Sequence, residues 1–190
     1  LPVQMTLSGP DSEWQAIRQL YFAMITSARR RVFMQSPFFI LDTSIAEALK
    51  AAALSGVDVR VMISERGTNQ YVPYWAANTY MEEIAAAGAT VLLYEPGYLH
   101  AKTVITDGCV CSIGSANIDI RSFSINYELN AVIYDKALSQ ELEAAFLRDM
   151  AMSIPAARRL VDHARREGID HVHAHSCGRA ALIAALAFRM

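Results

Sequence analysis

The sequence predicts an α/β domain with a mixed central β-sheet flanked by helices. Three observations predict it. Between residues 32 and 95, apolar runs of strand length alternate with longer segments of helical period that close on glycine. Between residues 100 and 135 the period is mostly two, broken by an Asp107-Gly108 turn, as in a meander of strands. Hydrophobic residues make up 53% of the 190 and charged residues 19%, which suits one well-packed domain with an appendage.

In chain order, an extended opening over 3–11 leads to a helix. Ser12, with Gln15 three residues on, reads as its capping box, and Ile17, Leu20, Phe22, Met24 and Ile25 supply its apolar side. Residues 32–39 form a buried strand stopped at Pro37. Asp42 or Thr43 caps the next helix, which ends at Gly56, the usual residue just past a helix C-terminus. A strand over 57–63 is followed by a polar loop and an aromatic-rich helix over 71–88. Its "YVPYWAANTY" reads as core, with the lining of a lipid headgroup pocket as the alternative. A strand over 89–95 ends at a Pro96-Gly97 turn; strands over 101–106, 110–115 and 126–135 follow, then a helix over 136–152.

Pro155 marks a change, and a boundary near 153 divides a domain over 1–153 from a helix-strand-helix appendage over 154–190. The chain begins with Leu1 and ends inside an apolar helical pattern, as expected of a piece of a longer protein. Its longest apolar run, 180–188, falls short of the roughly 20 residues that a membrane span needs.

Charge and cysteines narrow the function classes. A formal charge of −2 and a pI near 6.2 count against nucleic-acid binding, and the arginines at 29–31 and in 157–167 read as solvated faces. Three cysteines, Cys109, Cys111 and Cys177, form no secreted-protein pattern and point to reduced thiols in a reducing compartment. Cys109 and Cys111 read as small apolar strand residues rather than metal ligands.

The chemistry concentrates between residues 100 and 130. Strand residues two apart share a face, which places His100 beside Lys102. Past the turn the chain presents Ser115 and Asn117, again two apart, and then Asn126, Glu128 and Asn130. On neighbouring strands these supply an imidazole, an ammonium, neutral polar groups and a carboxylate able to orient the imidazole. A phosphodiester calls for this inventory: a nucleophile or acid, with donors aimed at its non-bridging oxygens.

The pattern His100-x-Lys102-x4-Asp107-x6-Gly114-Ser115-x-Asn117 resembles the HKD signature of the phospholipase D superfamily with its GSxN extension. The text around it, over about residues 3 to 152, is similar to the C-terminal catalytic half of bacterial cardiolipin synthases; "PGYLHAK" and "GSANIDIRSFSINYELNAVIYD" carry much of the likeness. The resemblance implies a phospholipase D-like half and a phosphatidyltransferase. A histidine takes the phosphatidyl group covalently, and a second alcohol, on phosphatidylglycerol, takes it over with release of glycerol.

Carried over residue by residue, the catalytic set is His100, Lys102, Asp107 and Glu128. His100 is nucleophile or general acid/base, Lys102, Ser115 and Asn117 bind phosphate oxygens, and Glu128 hydrogen-bonds the imidazole. Asp107 holds the turn and strand register. No metal and no cofactor is implied. The implied partners are phosphatidylglycerol, a membrane surface at the cytoplasmic side of the bacterial inner membrane, and a second HKD half-site. That half-site comes from a missing N-terminal half or a homodimer partner, because His163, His171, His173 and His175 have no lysine two places on. The alternatives are a superfamily phosphodiesterase or endonuclease acting as a homodimer, and a non-catalytic fragment. The tail weakly resembles a segment of GT-B glycosyltransferases; His171, His173 and His175 on one strand face leave metal binding as its alternative.

Overall fold

A computed structural model describes residues 1–64, 80–156 and 158. Its centre is an eight-stranded sheet in the order β1-β9-β7-β6-β2-β4-β5-β10. The strands are β1 (Val3–Ser8), β2 (Arg31–Ser36), β4 (Asp58–Ser64), β5 (Thr90–Tyr94), β6 (Thr103–Thr106), β7 (Val110–Gly114), β9 (Glu128–Ile133) and β10 (Ser153–Pro155). Two residues each of β3 (Phe39–Ile40) and β8 (Ile118–Asp119) pair in parallel outside it. The helices are α1 (Ala16–Ser27), α2 (Thr43–Leu54), α3, described over 80–86, α4 (Ile120–Ser124) and α5 (Lys136–Ala151).

Two halves of the sheet are built differently. β2, β4 and β5 run parallel, linked through helices, and are buried runs of Val, Met, Ile and Leu as two-sided strands must be. β6, β7, β9 and β1 continue from β2 as antiparallel neighbours. The expected mixed α/β sheet flanked by helices is the fold observed.

One face packs α1, α2 and α3 on Val32, Met34, Val59, Val61, Val91 and Val104. The other packs α5 on Phe33, Met62, Leu92 and Ile105, with the Phe146 ring stacked on Phe33 at 4.8 Å between centroids. Beyond the reach of α5, Val3, Met5 and Leu7 of β1 and Leu129 of β9 are exposed. No described helix is long and apolar enough to cross a membrane.

Several local expectations are corrected. The Ser12 hydroxyl donates to the Trp14 carbonyl at 2.6 Å, and α1 starts four residues later behind Gln15, which makes no side-chain cap. Tyr21, not Phe22, faces the core, because Ile17, Tyr21 and Ile25 follow one another at helical spacing while Phe22 is exposed. The first parallel strand ends at Ser36, and the Phe39 expected within it belongs to β3. Asp42 is the cap of α2, its carboxylate accepting from the Ile45 amide at 3.0 Å. Residues 153–155 pair with β5 and so belong to the sheet. The helix start over 71–79 and the tail elements expected after 158, with His171, His173 and His175, lie outside the described residues.

The β6–β7 turn is fixed by Asp107. Its backbone is left-handed, with φ at 55°, a conformation aspartate tolerates better than most residues. Its carboxylate accepts from the Arg29, Arg30 and Arg31 amides at 2.9, 2.8 and 2.9 Å, which fastens the turn to the start of β2. Burial pushes its pKa up, but those amides and the Arg31 guanidinium outweigh burial and hold the carboxyl below 3.8. A lowered carboxyl pKa adds stability that is present above the unfolded value and lost as pH falls through the folded one. Asp107→Ala is therefore expected to cost about 3 kcal/mol in urea unfolding near neutral pH, from lost charge-assisted hydrogen bonds and left-handed strain. The deficit should shrink below pH 3.8. A loss under 0.5 kcal/mol at neutral pH contradicts the role.

Candidate active site

His100, Lys102, Ser115, Asn117 and Glu128 all reach one edge of the sheet, where β6 and β9 begin and β7 ends. The antiparallel registers bring this about: Thr103 lies opposite Ile113, and Gly114 opposite Asn130. One step beyond, the Gly114 amide donates to the Lys102 carbonyl at 3.3 Å, so the HxK segment and the GSxN turn lie side by side. His100 and Lys102 precede β6 rather than belonging to it, and residues 115–117 form a turn rather than strand.

The Ser115 hydroxyl donates to Glu128 Oε2 and accepts from the Leu129 amide at 3.0 Å. Asn126 Nδ2 donates to Glu128 Oε1 at 3.1 Å. Both carboxylate oxygens are thereby held; among the described residues no hydrogen bond joins Glu128 to His100, the partner expected for it. The His100 ring instead lies 5.4 Å from that of Tyr98.

Lys102 Nζ donates to the His100 carbonyl at 2.9 Å. Burial pushes its pKa below 10.5, against which the Glu128 and Asp119 carboxylates favour the charged form. An ammonium partly stripped of water is poised for an anion that would restore its solvation. Asn117 Oδ1 is buried with no protein hydrogen-bond partner, and as an acceptor it calls for a donor rather than for an anion's oxygens.

The turn bearing Ser115 and Asn117 is held from beneath by a buried hydrogen-bonded network. Asn130, expected beside Glu128 in the site, is fully buried. Its amide donates to Tyr21 Oη at 2.7 Å and Ser112 Oγ at 3.0 Å, and its carbonyl accepts from the Ala116 amide at 3.3 Å. Burial raises Tyr21 to about 12, which keeps its phenol neutral beside that amide. Asp119 caps α4 through the Ser122 amide at 2.7 Å, and the Ser122 hydroxyl accepts from the Asn117 amide at 3.2 Å. The Asp119-x-x-Ser122 spacing is a capping signal legible in the sequence; nothing there points to Tyr21.

Asp107 is separated from the set in which it was expected. It follows the last residue of β6 while His100 precedes the first, roughly 20 Å away at strand rise, and its carboxylate is committed to the three amides.

Gly114 is dictated by close approach. A Cβ there would stand 2.2 Å from Asn130 Oδ1 and 2.4 Å from the Leu129 carbonyl, and the latter is backbone. Gly114→Ala is expected to cost about 2–3 kcal/mol as overpacking, and Tyr21→Phe about 1–2 kcal/mol as a lost buried hydrogen bond. Urea unfolding measures both; a Gly114→Ala protein as stable as its parent contradicts the packing described.

The chain is similar to known proteins in family, in sequence and in fold. Residues 21–150 match the family described as cardiolipin synthase, PLD-like domain. The chain is 49% identical over 151 residues to the cardiolipin synthase of Listeria welshimeri, covering 80% of this chain and 31% of that protein. It is 44% identical to the major cardiolipin synthase of Bacillus subtilis, with the same coverage. It thus spans about a third of the length of these relatives. Among solved structures, a phospholipase D family member, Nuc, from Salmonella typhimurium superposes with a TM-score of 0.70 at 26% identity, over 81% of this chain and 97% of that one. The phosphatidylserine synthase of Haemophilus influenzae shares the fold, with a TM-score of 0.65 at 16% identity over 80% of this chain and 39% of that one.

Proposed function

The chain belongs to the cardiolipin synthase PLD-like domain family of the phospholipase D superfamily, and from that premise we propose that it supplies one half-site of a phosphatidyltransferase. The substrate is phosphatidylglycerol presented at a membrane surface on the cytoplasmic side. The observation that carries this reading is the HxK segment lying against the GSxN turn, Gly114 amide to Lys102 carbonyl.

Two imidazoles share the work. One attacks phosphorus, forming a P–N bond as the P–O bond to the departing glycerol breaks, and the other gives that alkoxide its proton. The second imidazole then takes the proton of the incoming alcohol, whose oxygen attacks phosphorus and breaks the P–N bond. His100 is one of the pair. The other comes from a second half-site, in the remainder of a longer chain or in a second copy. Lys102 Nζ and the side-chain Nδ2 of Asn117 hold the non-bridging oxygens, and the Ser115 hydroxyl joins them by turning its proton from Glu128 to the phosphate.

A second reading, a homodimeric phosphodiesterase or endonuclease, is favoured by one observation: the chain covers 97% of the Salmonella phospholipase D family member, so a unit of this extent stands as a chain of its own. A strictly monomeric preparation is expected to form no cardiolipin from phosphatidylglycerol vesicles. Cleavage of DNA instead of lipid supports the second reading, whereas lipid transfer rising with the square of concentration places the other half-site in a second copy. With both half-sites present, His100→Ala is expected to abolish transfer and Lys102→Ala to slow it about 10²–10³-fold, the scale of losing an oxyanion donor. Glu128→Gln should cost less. Near-parental rates for either of the first two contradict the mechanism.

A further inference from the structure

We propose that Tyr98 is a positioning residue for His100, its ring setting the direction in which the imidazole enters the site. The inference rests on the half-site reading above and adds to it what orients the histidine before a phosphate is bound.

The backbone makes the pairing possible. Tyr98, Leu99 and His100 lie in the link between β5 and β6. Leu99 is 7% exposed and belongs to the core cluster of Phe33, Met62, Leu92 and Phe146 on the α5 side of the sheet. Its amide donates to Ser64 Oγ, at the end of β4, at 3.2 Å. A buried, hydrogen-bonded residue thus pins the middle of the segment, and its two neighbours are turned out to solvent. There the two rings meet, with centroids 5.4 Å apart and planes inclined by 30°. That separation lies within the roughly 4.5–7 Å of interacting aromatic pairs.

Other groups that could hold the ring are engaged elsewhere. Ser115 and Asn126 take the two Glu128 oxygens. Lys102 Nζ takes the His100 carbonyl, which fixes the backbone and leaves the side chain to turn. Among the described residues Tyr98 makes the one ring contact of His100, and no hydrogen bond reaches the imidazole nitrogens.

An imidazole on an exposed link otherwise samples several rotamers. Attack on phosphorus, or protonation of the departing oxygen, needs its nitrogen about 3–3.5 Å from one reacting atom and aligned with it. A flat ring alongside removes the rotamers that would lie across it. The contact is ring to ring, so the role belongs to the aromatic ring and not to the phenol hydroxyl. Tyr98 is 43% exposed, so little of the fold depends on it.

The test compares Tyr98→Phe with Tyr98→Leu in two experiments. In the chain alone, the His100 ring protons, assigned by their loss in His100→Gln, are followed by NMR at alkaline pH. Tyr98→Leu is expected to shift them by removing the neighbour's ring current, and Tyr98→Phe to leave them nearly in place. In the enzyme with both half-sites, Tyr98→Leu is expected to lower kcat about three- to tenfold with KM unchanged, the worth of one aromatic pair. Tyr98→Phe should keep the parental rate. Ring signals unmoved by Tyr98→Leu, a parental kcat in that variant, or a Tyr98→Phe rate as low as that of Tyr98→Leu each overturn the inference. A raised KM at parental kcat also overturns it, by making Tyr98 a substrate contact. Loss of the fold in Tyr98→Leu, read by thermal melts, overturns it in favour of a structural role. A parent enzyme that transfers no phosphatidyl group contradicts the half-site reading, and the NMR comparison then decides the orienting role by itself.

Discussion

The buried carboxamide of Asn130 is the contact on which the site edge depends. Its nitrogen spans Tyr21 of α1 and Ser112 of β7, and its oxygen takes the Ala116 amide in the middle of the GSxN turn. One side chain therefore sets the height of the turn against the sheet and against the helix layer. A fully buried amide is tolerated only when paired, and each partner here has a fixed address. The arrangement also dictates Gly114, since any side chain there would meet Asn130 and the Leu129 carbonyl. The glycine of the motif is thus a consequence of packing, while the serine and asparagine it presents are left for chemistry.

The two ends of β6 carry different duties. At the far end Asp107 takes three amides from residues 29–31, and Arg31 forms a paired hydrogen bond with Glu143 of α5 at 2.7 and 2.8 Å. Charges there are neutralised by structure, which locks the hairpin to β2 and to α5. At the near end Lys102 is partly desolvated and Asn117 keeps a buried oxygen without a partner. A partly desolvated ammonium at this end suits a site that takes an anion.

Much of this was legible in the sequence, for physical reasons that also mark where legibility ended. Alternation of strand-like and helix-like periods gave the sheet, and the motif spacing around the Asp107 turn placed His100, Lys102, Ser115 and Asn117 at one edge. Period two does not fix where a strand begins, so His100 and Lys102 were expected in β6 although they precede it. Nor does it separate the solvent side of a site from its buried support, so parity alone groups Asn130 with Glu128. Phe22 is the more apolar of the two neighbours, yet helical phase places Tyr21 inward, where its hydroxyl is paired with Asn130. Ser12 has the spacing of a cap, but its hydroxyl turns to the Trp14 carbonyl.

The central claim is that the HxK segment and the GSxN turn form one oxyanion site. A crystal structure of the chain with tungstate, a tetrahedral stand-in for phosphate, tests it most directly. The account predicts the anion at the β6–β7–β9 edge, within hydrogen-bond distance of His100, Lys102 and Asn117. An anion bound instead at the arginines of residues 29–31, with that edge unchanged, would contradict it.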